Sequence, residues 1–187
     1  MTRFFQLLCC ISILFLGCGD DDDPVIPNEE EVITDLAYVL NATDNSGGVT
    51  LTFSDPDGDG AQPATIVVSD PLAPNKTYVG LLSLSNRSNP ADPEDITAEI
   101  QGEDDEHQFF FVVEGGLDAT VAYGDADENG NPVGLLTELT TGAASTGSLR
   151  IILRHEPDKA AGATIGNPAP AGGETDIEVT FPVSIGN

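Results

Sequence analysis

Val49-Thr-Leu-Thr-Phe53 alternates apolar and polar residues at every step, so Val49, Leu51 and Phe53 face one way and Thr50 and Thr52 the other. A period of two marks a strand with one face on a core; helical apolar positions recur every three or four residues. The pattern returns near the C-terminus in Asp176-Ile-Glu-Val-Thr-Phe-Pro-Val183, where Ile177, Val179 and Phe181 share a face. Working outward, runs of β-branched and aromatic residues bounded by Gly, Pro, Asn and Asp predict strands over 33–42, 49–54, 65–69, 77–85, 108–113, 118–123, 135–140, 148–154 and 176–185. Only 95–102, Asp-Ile-Thr-Ala-Glu-Ile-Gln-Gly, reads as a helical turn, with Asp95 as its cap and Gly102 as its stop. Short strands with almost no helical periodicity predict an all-β, antiparallel β-sandwich, immunoglobulin-like or similar, of about eight or nine strands. A barrel is the alternative.

If successive strands alternate in direction, the connections sort to two rims. The short ones, 43–48, 70–76, 114–117 and 142–147, fall at one rim. The long, charged ones, 55–64, 86–107, 124–134 and 155–175, fall at the other, where the chain also enters its first strand. Long loops on a rigid sandwich are where binding is usually placed.

The charge restricts the partners. Thirty-two acidic residues stand against 6 basic ones, a formal net charge of -26. Such a surface repels phosphate backbones, so nucleic acid is not an expected partner. The 3 cysteines all lie at or before Cys18, which leaves the domain no disulfide and no thiolate ligand, and its stability to packing.

The N-terminus carries targeting information. Arg3 precedes an apolar segment, 4–16, that is too short to span a bilayer and reads as the core of a secretory signal. Gly17-Cys18 directly behind it resembles the lipobox of bacterial lipoproteins, although Phe15 and Leu16 stand where that family usually has Leu and a small residue. The resemblance implies a signal peptide over 1–17, lipidation of Cys18 and a membrane partner held through acyl chains. Residues 18–31, with the runs Asp20-Asp-Asp-Asp23 and Glu29-Glu-Glu31, read as an acidic linker, and 32–187 as the sandwich domain. Fully extended, residues 19–31 span about 45 Å at about 3.5 Å per residue. An acidic run after the lipidated cysteine also resembles the export signal of surface lipoproteins in Bacteroidota. The expected location is the outer membrane, lipid-anchored; the resemblance implies exposure at the surface, and the alternative reading of the acidic run is a solvated spacer.

Two constellations offer metal ligands. Asp55-Pro-Asp57-Gly-Asp59-Gly and Asp125-Ala-Asp127-Glu-Asn129-Gly both read D-x-D-x-[DN]-G, the opening of a calcium loop. The twelfth positions, Ile66 and Leu136, lack the carboxylate such loops need, and Asp-Gly and Asn-Gly are equally hairpin-turn residues. The second constellation uses the only 2 histidines: His107 opens a strand, His155 closes another beside Glu156, and Asp176 opens the last. All fall at the long-loop rim. Two imidazoles with carboxylates suit zinc; the alternative is strand-end histidines hydrogen-bonded to backbone or acid groups.

The segments EDDEHQFFF, DADENGNPVGLLTELTTGAASTGSLRIILRHEPDKAA and GGETDIEVTFPVSI resemble a family of small Bacteroidota lipoproteins, sometimes labelled type 1 periplasmic binding folds. That label implies a two-lobed α/β protein, whose helical crossovers this sequence does not supply. The resemblance implies an association with outer-membrane metal uptake, hence a transporter as partner.

Enzyme signatures are missing from the sequence. In His155-Glu-Pro-Asp-Lys159, the lysine replaces the second histidine of H-E-x-x-H and Pro157 opposes the helix that motif needs. No G-x-S-x-G, phosphate loop or dinucleotide fingerprint occurs. The expectation is a non-enzymatic, metal-binding envelope protein, with a structural or adhesive module, stabilised by calcium, as the rival.

Overall fold

The computed structural model describes residues 31–58 and 62–186. The signal segment, Cys18 and the linker up to residue 30 lie outside the described residues, as does Asp59. Among the described residues there are nine strands: β1 (Asp35–Ala42), β2 (Gly48–Ser54), β3 (Thr65–Val68), β4 (Thr77–Ser85), β5 (His107–Glu114), β6 (Ala119–Tyr123), β7 (Leu136–Thr141), β8 (Ser145–His155) and β9 (Glu174–Ile185). Each predicted strand is present, and the largest boundary change is at β8, which starts three residues before position 148.

The strands form two antiparallel sheets, in the orders β3-β2-β1-β4-β7-β6 and β5-β8-β9. Alternation fixes what each contributes to the space between them. Leu36, Tyr38, Leu40 and Ala42 of β1 are buried, as are Val49 and Leu51 of β2. From the smaller sheet come Phe109 and Phe111, Leu149, Ile151 and Leu153, and Ile177, Val179, Phe181 and Val183. All belong to one apolar core, in which the rings of Tyr38 and Phe111 lie 5.4 Å apart across the sheets. This is the predicted all-β sandwich.

The Tyr38 hydroxyl shares a buried 2.7 Å hydrogen bond with Thr137, and burial raises the tyrosine pKa well above its ordinary value. Gly80 makes room for that ring: a Cβ at this position would lie 2.4 Å from the Tyr38 oxygen and 2.6 Å from Thr137 Oγ1.

The connection between β4 and β5 contains helix α1 (Ile96–Gly102), capped by the Asp95 side chain, which accepts from the Ala98 N–H at 3.2 Å. Ile96 and Ile100, four residues apart, fall on one face and are buried in the core. The long connection from β8 to β9 also has a packing role. Its Ala171 forms a second apolar cluster with Phe110 and Ile152. That cover explains why His107, Gln108, Phe109, Phe110 and Phe111 are all buried instead of alternating.

Gly80→Ala should force Tyr38 or Thr137 to move and cost about 1–3 kcal/mol of stability, as overpacking generally does. Urea unfolding would read this as a lower midpoint at unchanged slope.

Candidate metal centre

The rim where β5 begins and β8 and β9 meet gathers polar groups at the edge of the core. His107 and His155 are direct register partners across β5 and β8, and His155 pairs with Glu174 across β8 and β9. The imidazoles stack at a centroid distance of 4.8 Å and an interplanar angle of 20°. Alternate strand directions thus bring together two side chains 48 positions apart in sequence.

Each ring is placed by its surroundings. His107 Nδ1 lies 3.0 Å from the Glu103 carbonyl oxygen, which can only accept, so Nδ1 carries the hydrogen and donates it. Glu103 ends α1, its N–H donating to the Glu99 carbonyl at 3.0 Å, and so the helix orients the ring. A neutral ring so oriented presents its Nε2 lone pair, and a protonated one presents a second N–H. At the end of β8, Glu156 N–H donates to the Glu106 carbonyl at 2.7 Å, and the backbone at Glu156 turns left-handed with φ 48. Gly173 permits the return to β9: its φ is +69, and a Cβ there would meet the His155 carbonyl oxygen at 2.3 Å.

Asp176 enters through a bulge. Leu153 pairs with Ile177 but Arg154 pairs with Thr175, so Asp176 is the extra residue on β9. A bulge re-aims a side chain next to a site, and Asp176 Oδ1 lies 3.8 Å from His155 Nδ1. The fourth group is Glu31, four residues ahead of β1, with Oε1 2.8 Å from His107 Nε2 and Oε2 3.8 Å from His155 Nδ1. Glu31, His107, His155 and Asp176 offer ligand atoms that all lie within 4.8 Å of one another.

Burial is what makes the cluster informative. Side-chain exposure is 0% for His107, 4% for His155, 6% for Glu31 and 0% for Asp176. Close as they are, His107 Nε2 and Glu31 Oε1 lack hydrogen-bond directionality: Nε2 has no hydrogen-bond partner, and neither has Glu31 Oε2. With the ring protonated this contact is an ion pair; with the ring neutral it is two acceptors with nothing between them, an arrangement that costs free energy when buried. A shared cation satisfies both. Ligand distances of about 2.0–2.1 Å in a tetrahedral shell imply donor separations of about 3.3 Å. The separations of 2.8 and 3.8 Å bracket that value. The backbone-anchored Nδ1–H of His107 is likewise the outer contact that metal-ligating histidines usually make.

The predicted pair His107 and His155 is therefore together with Asp176. Glu156 is not in that set: its ligand atom groups with Glu106 and His155, where both carboxylates are exposed. In its place stands Glu31, read from sequence as the end of the linker. The run Glu29-Glu-Glu31 has no periodicity to mark which residue turns inward; the one available signal was that the chain enters β1 at the rim holding the histidines.

The aspartate loops have other occupations. Asp125 accepts from the Gly134 and Leu136 N–H groups at 2.7 and 2.8 Å. Asp127 accepts from the N–H groups of Asn129 and Asn131, at 2.9 and 2.8 Å, while its second oxygen takes Lys159 Nζ at 3.1 Å. Asn129 enters that turn through its backbone. These contacts make a β-turn braced by a buried ion pair, and Asp125, Asp127 and Asn129 are not among the described groups of three or more potential ligands; in the loop of Asp55 and Asp57, residues 59–61 lie outside the described residues. In the other loop, side-chain hydrogen bonding with Asp57 raises the pKa of Asp55, and Asp57 also accepts from the Gln62 N–H at 2.9 Å.

No family model matches the sequence, and comparison with curated proteins and with solved structures gives no match. The cluster has to be interpreted from its own chemistry.

Burial pushes the Asp127 carboxyl upward, but hydrogen bonds from Asn131 and Lys159 outweigh it and hold the pKa below its ordinary value. A depressed carboxyl contributes stability above its unfolded pKa of about 3.9 and loses it as pH falls through the folded value. Asp127→Asn also deprives the Lys159 ammonium, with side-chain exposure of 6%, of its carboxylate and leaves it the Asp104 carbonyl as acceptor. The variant should lose about 1–3 kcal/mol at pH 7, with the deficit shrinking below about pH 4, measured by urea unfolding at both pH values.

Proposed function

We propose that this chain is a non-enzymatic envelope lipoprotein whose β-sandwich holds one transition-metal ion of the zinc class through Glu31, His107, His155 and Asp176. One observation supports this above all: inside a buried four-residue cluster, His107 Nε2 and a Glu31 carboxylate oxygen face each other at 2.8 Å with no hydrogen bond between them. Donor chemistry favours zinc over calcium, because imidazole suits transition ions whereas calcium takes six to eight oxygens. The acidic surface would raise the local cation concentration, and the imidazoles would supply the selectivity.

On this reading the protein is a surface lipoprotein of the Bacteroidota type, anchored to the outer membrane through lipid at Cys18 and working beside a metal transporter. No helix among the described residues is long and apolar enough to cross a membrane, so attachment rests with the N-terminal segment in this proposal. The near-complete burial of the donors favours a second reading. A shell made entirely of protein ligands is the form of a structural ion. The metal would then rivet a surface module together instead of being cargo.

Calorimetric titration of the metal-free protein with zinc should give one ion per chain. Zinc at about 100 times its dissociation constant should add about 2.7 kcal/mol of stability, and His107→Ala with His155→Ala should abolish both effects. Parental zinc affinity in that double variant would remove the site.

A further inference from the structure

The four donors are not equally fixed. His107, His155 and Asp176 lie on β5, β8 and β9, whose backbones are fixed by the β5–β8 and β8–β9 ladders. Glu31 lies outside every strand. Downstream of it the chain becomes secured at Thr34, whose N–H donates to the Ser85 carbonyl at 3.1 Å and whose hydroxyl accepts from the Arg87 N–H at 2.7 Å. Among the described residues, no backbone hydrogen bond holds residues 31–33, and Val32 is exposed. Ile33 packs against the core, but the Glu31 side chain, almost completely buried, has only the rim cluster to hold it there.

Resting on the metal site proposed above, we infer that Glu31 is its exchangeable ligand. It is the donor that swings out to admit or release the ion, and its return ties the lead-in of β1 to the β5-β8-β9 sheet. His107, His155 and Asp176 form a three-donor seat that stays assembled when Glu31 leaves, as their strands require no rearrangement. Metal occupancy is thereby coupled to the position of the chain just upstream of the domain. A buried ion also gains a route to solvent without unfolding of the sandwich. A protein that must yield its ion to a partner needs such a donor, and a permanently riveted one does not.

The test uses the full-length protein with zinc as the probe, comparing the parent, Glu31→Gln and the double histidine variant. Zinc release to an excess of chelator, followed by stopped flow, should be faster in Glu31→Gln by about tenfold or more, since even outer-shell partners are worth about 10–100-fold in affinity. Glu31→Gln should still bind one zinc, which the double histidine variant does not. Amide hydrogen exchange at Val32 and Ile33 should slow on zinc binding in the parent and stay unchanged in Glu31→Gln. If the parent binds zinc but Glu31→Gln releases it at the parental rate, or if zinc leaves exchange at Val32 and Ile33 unaltered, the exchangeable ligand is refuted while the site stands. Zinc binding that is absent from the parent, or retained by the double histidine variant, overturns the site and this inference together.

Discussion

Two imidazoles and two carboxylates withdrawn from water at one edge of an apolar core are the constraint on which the functional account depends. Unpaired, such groups oppose folding, because buried polar atoms lose hydration they must recover from partners. Part of that recovery is visible: the Glu103 carbonyl takes the Nδ1 hydrogen of His107. Part is not, since Nε2 of the same ring and Oε2 of Glu31 have no hydrogen bond. The rest of the molecule is built so that these groups meet. Helix α1 ends where it can orient one ring, the β8–β9 turn closes over the His155 carbonyl at Gly173, and a bulge on β9 delivers Asp176.

The sandwich supplies the rigidity. A core shared by both sheets, with Phe109, Leu153 and Ile177 directly behind the rim, fixes the strand ends from which three of the donors project. The cover over Phe110 and Ile152 stiffens β5 from its other side. Polar chemistry and packing therefore meet along the same strand: His107 shares a face with Phe109 and Phe111.

Most of the fold could be read from local pattern. Val49-Thr-Leu-Thr-Phe53 and Ile177-Glu-Val-Thr-Phe181 carry the strand period plainly, and Asp95 with Gly102 frames helix α1. Strand order was not legible, because the placement of β7 beside β4 and the departure of β5 to a second sheet are set by long-range packing. At the site, direction counting was enough to bring His107, His155 and Asp176 to one rim. It could not separate Glu31 from Glu29 and Glu30, nor tell that Glu156 would turn away at a left-handed residue. Nor could the D-x-D spacing of Asp125 and Asp127 reveal that a lysine 32 positions downstream of Asp127 takes one of its oxygens. Those outcomes depend on chain reversals that no short window contains.

X-ray absorption at the zinc edge of the loaded protein reads the donor set itself. The spectrum should show about four nitrogen and oxygen neighbours at about 2.0–2.1 Å, with the outer-shell scattering of two imidazoles. A shell of water oxygens without imidazole scattering, or any sulfur neighbour, would contradict the four-residue site.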